Sequence, residues 1–597
     1  MFDVEKIIKA DRKVILIGSY PAIIQSILDF EYMSGHKAPS IVGVVATGRK
    51  IERYFFGKKE IAIPVFKSFK DVPDKVKHEV TFFLNVVSGR RVFSSTVEAI
   101  DNLPKLIGGV IFAENTPEKH ALDLAEICET KGIFLAGPAS VGILIPGIFK
   151  LGAIGGVEYK QLVDAKLSIR GNVAVFSASG GTTNELINIL AQNGKKISFA
   201  LHFGGDRFPI TTPLEAFMAA ENDPDTTHLV YFGELGGVDE YAVCEAIQTG
   251  KLTKPIIAYI AGNVAEIFPE SPQFGHAKAM AKTQKETARA KRDAMKAAGV
   301  QVGESFKEFV ELMHRIPSRE TREDRGAIIE KMDDRRHALI STSVSKDEGG
   351  KATVLGEDLL SFSKNNSFGY IVASLFLGKK IKSKELEEFV SFVLKLLVDH
   401  GPYVSGAVNT IITSRAGRDL VSSLASGILT IGPRFGGAIN QAAANWLDGA
   451  SSGKTPQEFV EEYAKKKIYI SGIGHRKYRS DMPDPRVSEI VSYTKELDAK
   501  YTNFAKSVEK VTVSKKGNLI LNVDGAIACV MLDILSEKEG YSEEQLKELV
   551  DIEFFNALFV LSRSVGFISH FLDQKRLDEG LFRLGEEDVA DASSQNE

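Results

Sequence analysis

The stretch Asn172-Val-Ala-Val-Phe176, running straight into Ser177-Ala-Ser-Gly-Gly-Thr-Thr-Asn-Glu185, reads as a strand that turns through small residues into a helix. A short apolar run bounded by a glycine turn is the pattern of a strand buried on both faces of a parallel sheet. The pattern recurs downstream in Leu229-Val-Tyr-Phe232 and Pro255-Ile-Ile-Ala-Tyr259. Upstream it appears in Lys13-Val-Ile-Leu-Ile-Gly18, Ile41-Val-Gly-Val-Val45, Thr81-Phe-Phe-Leu-Asn-Val-Val87 and Gly109-Val-Ile-Phe-Ala113. Helical segments fall between these runs. Strand and helix alternating at this spacing predict two doubly wound α/β domains, over residues 1–165 and 166–316.

The character changes near residue 316. Pro317-Ser-Arg-Glu-Thr-Arg-Glu-Asp-Arg325 is dense in charge and almost devoid of apolar residues, so 317–336 reads as a linker. From 337 to 585 the chain is helix-rich, with Glu385–His400 and Asp419–Leu429 carrying apolar residues at helical spacing. Residues 586–597 are polar and acidic and read as a disordered tail. The fold class expected is therefore multidomain, two α/β units followed by a mostly α-helical one.

A chain of 597 residues, 44% hydrophobic and 25% charged, has the composition of an ordinary globular protein of several domains. A net charge of -4 and a pI near 6.3 argue against general nucleic-acid binding. Cys128, Cys244 and Cys529 lie too far apart in sequence to suggest a disulfide framework or a metal site, so a reducing cytoplasm is expected. The N-terminus lacks the basic and apolar regions of a signal peptide. No uninterrupted apolar run reaches the ~18 residues of a membrane span.

Three motifs of the second α/β unit carry chemistry. Ser179, Gly180 and Gly181 open a helix and expose backbone N–H groups to an anion, although an ordinary capped turn has the same sequence. Glu234, in Gly233-Glu-Leu-Gly-Gly237, follows a strand and points into the crevice beyond a parallel sheet, or is a solvated loop glutamate. His276 lies in Phe274-Gly-His-Ala-Lys-Ala279, ahead of a basic segment, Lys282 to Arg292, that reads as a solvated helix face or an intersubunit contact.

The C-terminal module holds Gly472-Ile-Gly-His475, with Asp484-Pro-Arg486 eleven residues beyond the histidine. Glycines let the backbone approach a ligand, the imidazole can hydrogen-bond a carbonyl or hydroxyl, and the arginine offers a planar fork, a combination suited to a small polycarboxylate. His400 lies in Asp399-His-Gly-Pro402. Asp524 lies in the apolar run Leu519–Ala528, where a buried carboxylate is costly unless paired, which favours a functional role for it. Arg563 and Arg576 are further carboxylate forks and Arg434 a weaker one.

The ordered set Ser-x-Ser-Gly-Gly, Gly-Glu-x-Gly-Gly, Gly-His-Ala resembles the α-chain half of succinyl-CoA synthetases. The Gly-Ile-Gly-His stretch, with His400 and Asp524, resembles the citrate synthase superfamily. Both halves in one chain, with segments such as Asp399-His-Gly-Pro-Tyr-Val-Ser-Gly-Ala-Val-Asn and Leu572-Asp-Gln-Lys-Arg576, resemble the ATP-citrate lyases over nearly the whole length. That resemblance implies a Rossmann-like CoA-binding domain, a flavodoxin-like ligase domain and a citryl-CoA lyase domain. It makes His276 the phosphohistidine, Glu234 its orienting carboxylate, and Ser179, Gly180 and Gly181 the phosphate cradle. It gives His475 the oxygen that becomes the oxaloacetate ketone, His400 the enolate oxygen, and Asp524 the proton at carbon. Arg486, Arg563 and Arg576 would grip carboxylates. Arg476, Lys477 and Arg479 would meet CoA phosphates, unless theirs is simply a solvated loop. CoA is the implied ligand. The chain shows no ATP-grasp region, so the resemblance implies an ATP-grasp partner subunit that supplies most of the ATP, Mg²⁺ and citrate sites. A homotetramer through the C-terminal domain, hetero-octameric with the partner, is implied as well. Alternatives are a condensing enzyme with a vestigial synthetase half, or a regulatory scaffold. Retention of His276, Glu234, His400, His475 and Asp524 argues against a scaffold.

Overall fold

The computed structural model describes residues 2–268, 271–276, 278–318, 332, 335–432 and 435–590. The chain divides into two compact units, Met1–Leu339 and Ile340–Glu597.

The first unit contains two seven-stranded sheets. In the first, β1 (Val14–Ile17) is central, flanked by β2 (Ile41–Val45) and β5 (Phe82–Asn85). The sheet continues through β6 (Gly108–Ile111) to β7 (Phe134–Ala136) on one side. On the other side an antiparallel hairpin, β3 (Ile51–Phe56) and β4 (Lys59–Phe66), extends the edge beyond β2. All four residues of β1 and of β5 are buried, as strands covered by helices on both faces must be.

The second sheet has the order β14-β13-β12-β10-β11-β8-β9. Its parallel core is β10 (Val173–Ser177), β11 (Ile197–His202), β12 (His228–Glu234), β13 (Ile256–Ala261) and β14 (Gln301–Val302). Two three-residue strands, β8 (Ile143–Ile145) and β9 (Phe149–Leu151), join it as an antiparallel edge. The second sheet thus begins well before residue 166, because β8 pairs with β11 rather than with the first sheet. In register, Ser177 of β10 stands beside His202 of β11 and Phe232 of β12. Three C-terminal strand ends therefore open on one crevice, the position where doubly wound sheets bind ligands.

Most of the expected linker lies outside the described residues. At its end, Arg335 is held by Asp29 and by the Gly57 carbonyl at 2.9 Å, so this part is docked on the first unit. The expected tail includes a short 3₁₀ turn at Glu586–Asp588.

Among the described residues, the second unit is helical apart from a small antiparallel sheet of β15 (Ser345–Glu348), β16 (Lys351–Val354) and β17 (Glu357–Asp358). At its centre is the helix Val523–Glu537, buried on every side from Gly525 to Leu535, the signature of a core helix rather than an amphipathic one. Trp446 packs against it fully buried, and its indole N–H donates to the Gly525 carbonyl at 3.0 Å. The helix Phe554–Arg576 is long and apolar enough, by length and composition, to cross a bilayer. Here it packs Phe554, Phe555, Leu558, Phe559, Phe567 and Phe571 into the helical unit and buries Arg563 among them.

Candidate active sites

In the helical unit, five of the residues singled out from sequence converge. His400, His475, Arg486, Asp524 and Arg563 line one pocket of about 240 Å³, together with Leu397, Val404, Phe435, Asn522 and Phe559. Each arrives from a different element, which is why no local pattern joins them. His400 follows the helix Lys384–Leu396, and Arg486 opens the helix Pro485–Ser492. Asp524 lies in the first turn of Val523–Glu537, and Arg563 on Phe554–Arg576.

His475 is held on its loop by backbone pairing. Gly474 N–H donates to the Ile520 carbonyl at 2.7 Å and His475 N–H to that of Asn518 at 3.0 Å. Its Nδ1 accepts from the backbone N–H groups of Lys477 and Tyr478, both at 3.0 Å. A ring nitrogen that accepts twice carries no proton, so Nε2 is the N–H and is a donor. Burial first, with Arg486 and His400 adding to it against the pull of Asp484, lowers the His475 pKa and keeps the ring neutral.

The glycines of the motif serve a close approach. Gly472 has φ +96°, and a Cβ there would lie 2.9 Å from both the Gly525 Cα and the Trp446 ring. The loop carrying His475 can therefore rest directly on the turn carrying Asp524. Gly472→Ala combines left-handed strain with overpacking and is expected to destabilise the chain by about 2–4 kcal/mol. Thermal denaturation reads the loss, and an unchanged melting temperature would contradict this account of the motif.

Arg486 differs from expectation. Its Nε and Nη2 bind the buried Asp484 carboxylate at 3.0 and 2.7 Å, so the fork is already filled. What remains for the pocket is the Nη1 edge, 3.5 Å from His400 Nδ1. A guanidinium only donates, so His400 Nδ1 is an acceptor and its Nε2 bears the proton. Burial and the nearby Arg486 and Arg563 cations lower the His400 pKa. Both histidines are thus neutral N–H donors. Arg563 donates from Nε to the Leu397 carbonyl at 2.9 Å and stacks 4.7 Å from the Phe559 ring centroid, leaving its outer nitrogens for the pocket.

Asp524 has no hydrogen-bond donor among the described residues. Burial raises its pKa to about 6, against the opposing pull of Arg563 and Arg486. An acid poised near neutrality beside two neutral donors is suited to moving a proton to or from carbon.

Arg576 does not line this pocket; it is exposed at the end of its helix. Arg476, Lys477 and Arg479 are also exposed, and the contribution of Lys477 visible here is its backbone N–H to His475. Arg434 lies outside the described residues. Sequence reasoning missed the roles of Asp484 and Asn522. Asn522 caps the Asp524 helix through Gly525 N–H at 3.0 Å and also donates to the Gly474 carbonyl at 3.1 Å, fastening the His475 loop to that helix. An Asn one residue before a helix is a readable capping signal; its second bond is not.

In the first unit, β12 ends at Glu234, buried, with both carboxylate oxygens 3.0–3.1 Å from His276 Nδ1. The hydrogen bond from Nδ1–H to Glu234 raises the His276 pKa, against the effect of burial. It also leaves Nε2 as the nucleophilic nitrogen. His276 rests on Gly205, where a Cβ would come within 2.6 Å of the ring. The helix Gly180–Gln192 begins with Ser179 in the capping position but no side-chain cap, so its first N–H groups lack partners within the helix.

The basic segment is not wholly a solvated face. Lys291 is fully buried and donates to the carbonyls of Glu234 at 2.9 Å and Gly236 at 2.7 Å while pairing with Glu240 at 2.8 Å. It pins the turn that carries Glu234. Lys278, in the histidine loop, is buried and paired with Asp239.

A family model described as the C-terminal domain of citrate synthase matches residues 338–584, and one described as CoA-ligase matches 176–301. The chain is 37% identical to the probable ATP-citrate synthase subunit 1 of Neurospora crassa, covering 96% of its own length and 88% of the relative. Among solved structures it is similar to ATP citrate lyase from Methanothrix soehngenii in complex with citrate and coenzyme A, with 35% identity, 97% of each chain covered and a TM-score of 0.51. It is equally similar to a mutant of the Methanosaeta concilii ATP citrate lyase in complex with (3S)-citryl-CoA, with 35% identity, 98% of each chain covered and a TM-score of 0.51. With both modules present and aligned end to end with such relatives, the chain belongs to the ATP-citrate synthase family, also called ATP citrate lyase.

Proposed function

We propose that this chain is the lyase-bearing subunit of a two-subunit ATP citrate lyase, cleaving citrate to acetyl-CoA and oxaloacetate at the expense of ATP. The observation that carries the reading is the convergence of His400, His475, Asp524 and Arg563 on one pocket in the second unit, with a separate His276–Glu234 pair in the first.

In the first unit, Glu234 holds Nδ1–H so that Nε2 of His276 takes a phosphoryl group. The N-terminus of Gly180–Gln192 and Ser179 receive its charge. ATP and Mg²⁺ are held mainly by an ATP-grasp partner; the relative named "subunit 1" supports a second subunit. Citryl-phosphate forms, CoA displaces the phosphate, and the domain built on the first sheet, which ends at β7, serves to bind CoA.

In the second unit, the carbon–carbon bond of citryl-CoA breaks with its electron pair passing to the enolate of acetyl-CoA, and the hydroxyl proton passes to solvent water as the ketone of oxaloacetate forms. The Nε2–H of His475 steadies the oxygen that becomes the ketone. The Nε2–H of His400 stabilises the enolate oxygen of the departing acetyl-CoA. Asp524 delivers the proton that turns the enolate carbon into a methyl group. Arg563 and the free edge of Arg486 bind carboxylates, and Arg476, Lys477 and Arg479 meet CoA phosphates at the rim.

Two further expectations follow. Purified alone, the chain cleaves synthetic citryl-CoA but not citrate with ATP and CoA, as followed by oxaloacetate formation. Citrate cleavage by the chain alone would overturn the two-subunit reading. The helical unit exposes Tyr403, Val421, Leu429, Val565 and Leu572, an apolar set suited to an oligomer interface. A homotetramer through this unit, hetero-octameric with the partner, would allow Arg576 to reach a neighbouring pocket. Light scattering of the full chain is expected to give four copies, and a monomer with full lyase activity would refute it. The three free, buried cysteines suit a cytoplasmic enzyme.

A further inference from the structure

His202 is an unexplained group in the first unit. It ends β11 beside Ser177 and is 2% exposed. Val141 N–H donates to its Nδ1 at 2.9 Å, so Nε2 carries the ring proton. That Nε2 is buried and has no hydrogen-bond partner among the described residues. A buried donor without an acceptor is uncommon and unfavourable. Ordering Val141 requires only the opposite nitrogen, so the unmet N–H has no structural use.

Its neighbours place the ring beside the turn into the helix Gly180–Gln192. The Ala178 backbone, in the turn before the helix Gly180–Gln192, pulls on the ring without reaching hydrogen-bond geometry. A Cβ on Gly180 would lie 3.4 Å from His202 Cε1. His276 rests on Gly205, three residues along the same strand end, and its charge is felt at His202. Burial, the largest influence, lowers the His202 pKa to about 4, with His276 adding to it and Ala178 opposing. The ring therefore stays neutral and keeps its N–H at physiological pH.

We propose that His202 is a second histidine of the phosphoryl site, its Nε2–H donating to an oxygen of the phosphoryl group held between His276 and the N-terminus of Gly180–Gln192. A neutral donor adds a hydrogen bond there without a competing cation, and the group that satisfies it is the tetrahedral anion itself. Nothing in the sequence marks this residue, since a histidine at a strand end reads as core.

The inference rests on the reading of His276 as the phosphorylated residue, and the test separates the two. Phosphoramidate, a small phosphoryl donor, is expected to phosphorylate the full chain without a partner. The Nε2 lone pair of His276 attacks phosphorus, the phosphorus–nitrogen bond breaks, and ammonia leaves with the hydrogens it already carries. The rate of phosphohistidine formation is followed by ³¹P NMR. His276→Ala is expected to give no phosphohistidine; equal labelling in that variant, or none in the parent, overturns the His276 reading and this inference with it. His202→Asn keeps an acceptor for Val141 N–H but has no donor at the Nε2 position, and is expected to slow phosphorylation about 10–100-fold with unchanged melting. His202→Gln places an amide N–H near the Nε2 position and is expected to restore most of the rate. Labelling at the parent rate in the Asn variant, or an equal loss in the Gln variant, overturns the proposal while leaving His276 in place.

Discussion

Replacing His276 by alanine is expected to abolish ATP-driven citrate cleavage by the chain with its partner, and to leave citryl-CoA cleavage untouched. The first effect should be about a thousandfold or more, because removing a covalent nucleophile leaves no alternative acceptor for the phosphoryl group. The argument rests on one contact pair. Glu234 binds Nδ1 through both oxygens at 3.0 and 3.1 Å, which fixes the tautomer and raises the ring's proton affinity. Glu234→Gln keeps an acceptor for Nδ1–H but removes the charge, and should fall between parent and His276→Ala. The second effect follows from the division of the chain, since His276 belongs to the first compact unit and the lyase pocket to the second. Both activities are measured on one preparation, with native melting as the control for folding. Equal loss of both would make His276 a structural residue or place it in a shared site.

The residues legible in the sequence were those with a local signature. Apolar runs closed by small residues marked the central strands, such as β1, β5 and β10, because full burial on two faces leaves no room for polar alternation. The hairpin of β3 and β4 also had a signal, Gly57-Lys58 between two β-rich runs, but its partial exposure diluted the pattern. The pair β8 and β9 was not readable, being three residues each. Their membership of the second sheet depends on a pairing with β11 more than 50 residues away in sequence.

In the sites, His276, His400, His475 and Asp524 stood out through motifs, whereas the groups that aim them did not. The reach of Asp484 around the turn to Arg486 depends on backbone geometry that a sequence does not display. Lys291 lies in a stretch whose alanines, lysines and arginines read as a solvated face. Burial of its ammonium is tolerated because Glu240 and two carbonyls satisfy it. Arg576 illustrates the opposite limit. Its motif suggested a ligand contact, yet within one chain it is exposed at a helix end.

Asp524→Asn is expected to leave citryl-CoA binding largely intact and to lower single-turnover cleavage by about 10²–10⁴-fold, equivalent to about 3–5 kcal/mol of barrier. The amide preserves shape and first-turn position but cannot exchange a proton with carbon. A competing account makes Asp524 a helix-terminal carboxylate that merely complements the dipole of Val523–Glu537. That account predicts little loss of rate, and Asn522 already supplies the cap. The pH dependence distinguishes them further. Burial holds the Asp524 pKa up at about 6. Below that value the group carries its proton and cannot accept another; above it the carboxylate is free to act as base. Exchange of deuterium into the methyl group of acetyl-CoA, catalysed by the enzyme in the presence of an unreactive oxaloacetate analogue, requires the basic form. It should therefore rise about tenfold per pH unit at acid pH, bend near 6 and level off above it. In Asp524→Asn the plateau should be lost and any residual exchange should show no bend near 6. Parent-like exchange and cleavage in the Asn variant would exclude Asp524 as the proton carrier and move that role to a histidine of the same pocket or to bound water.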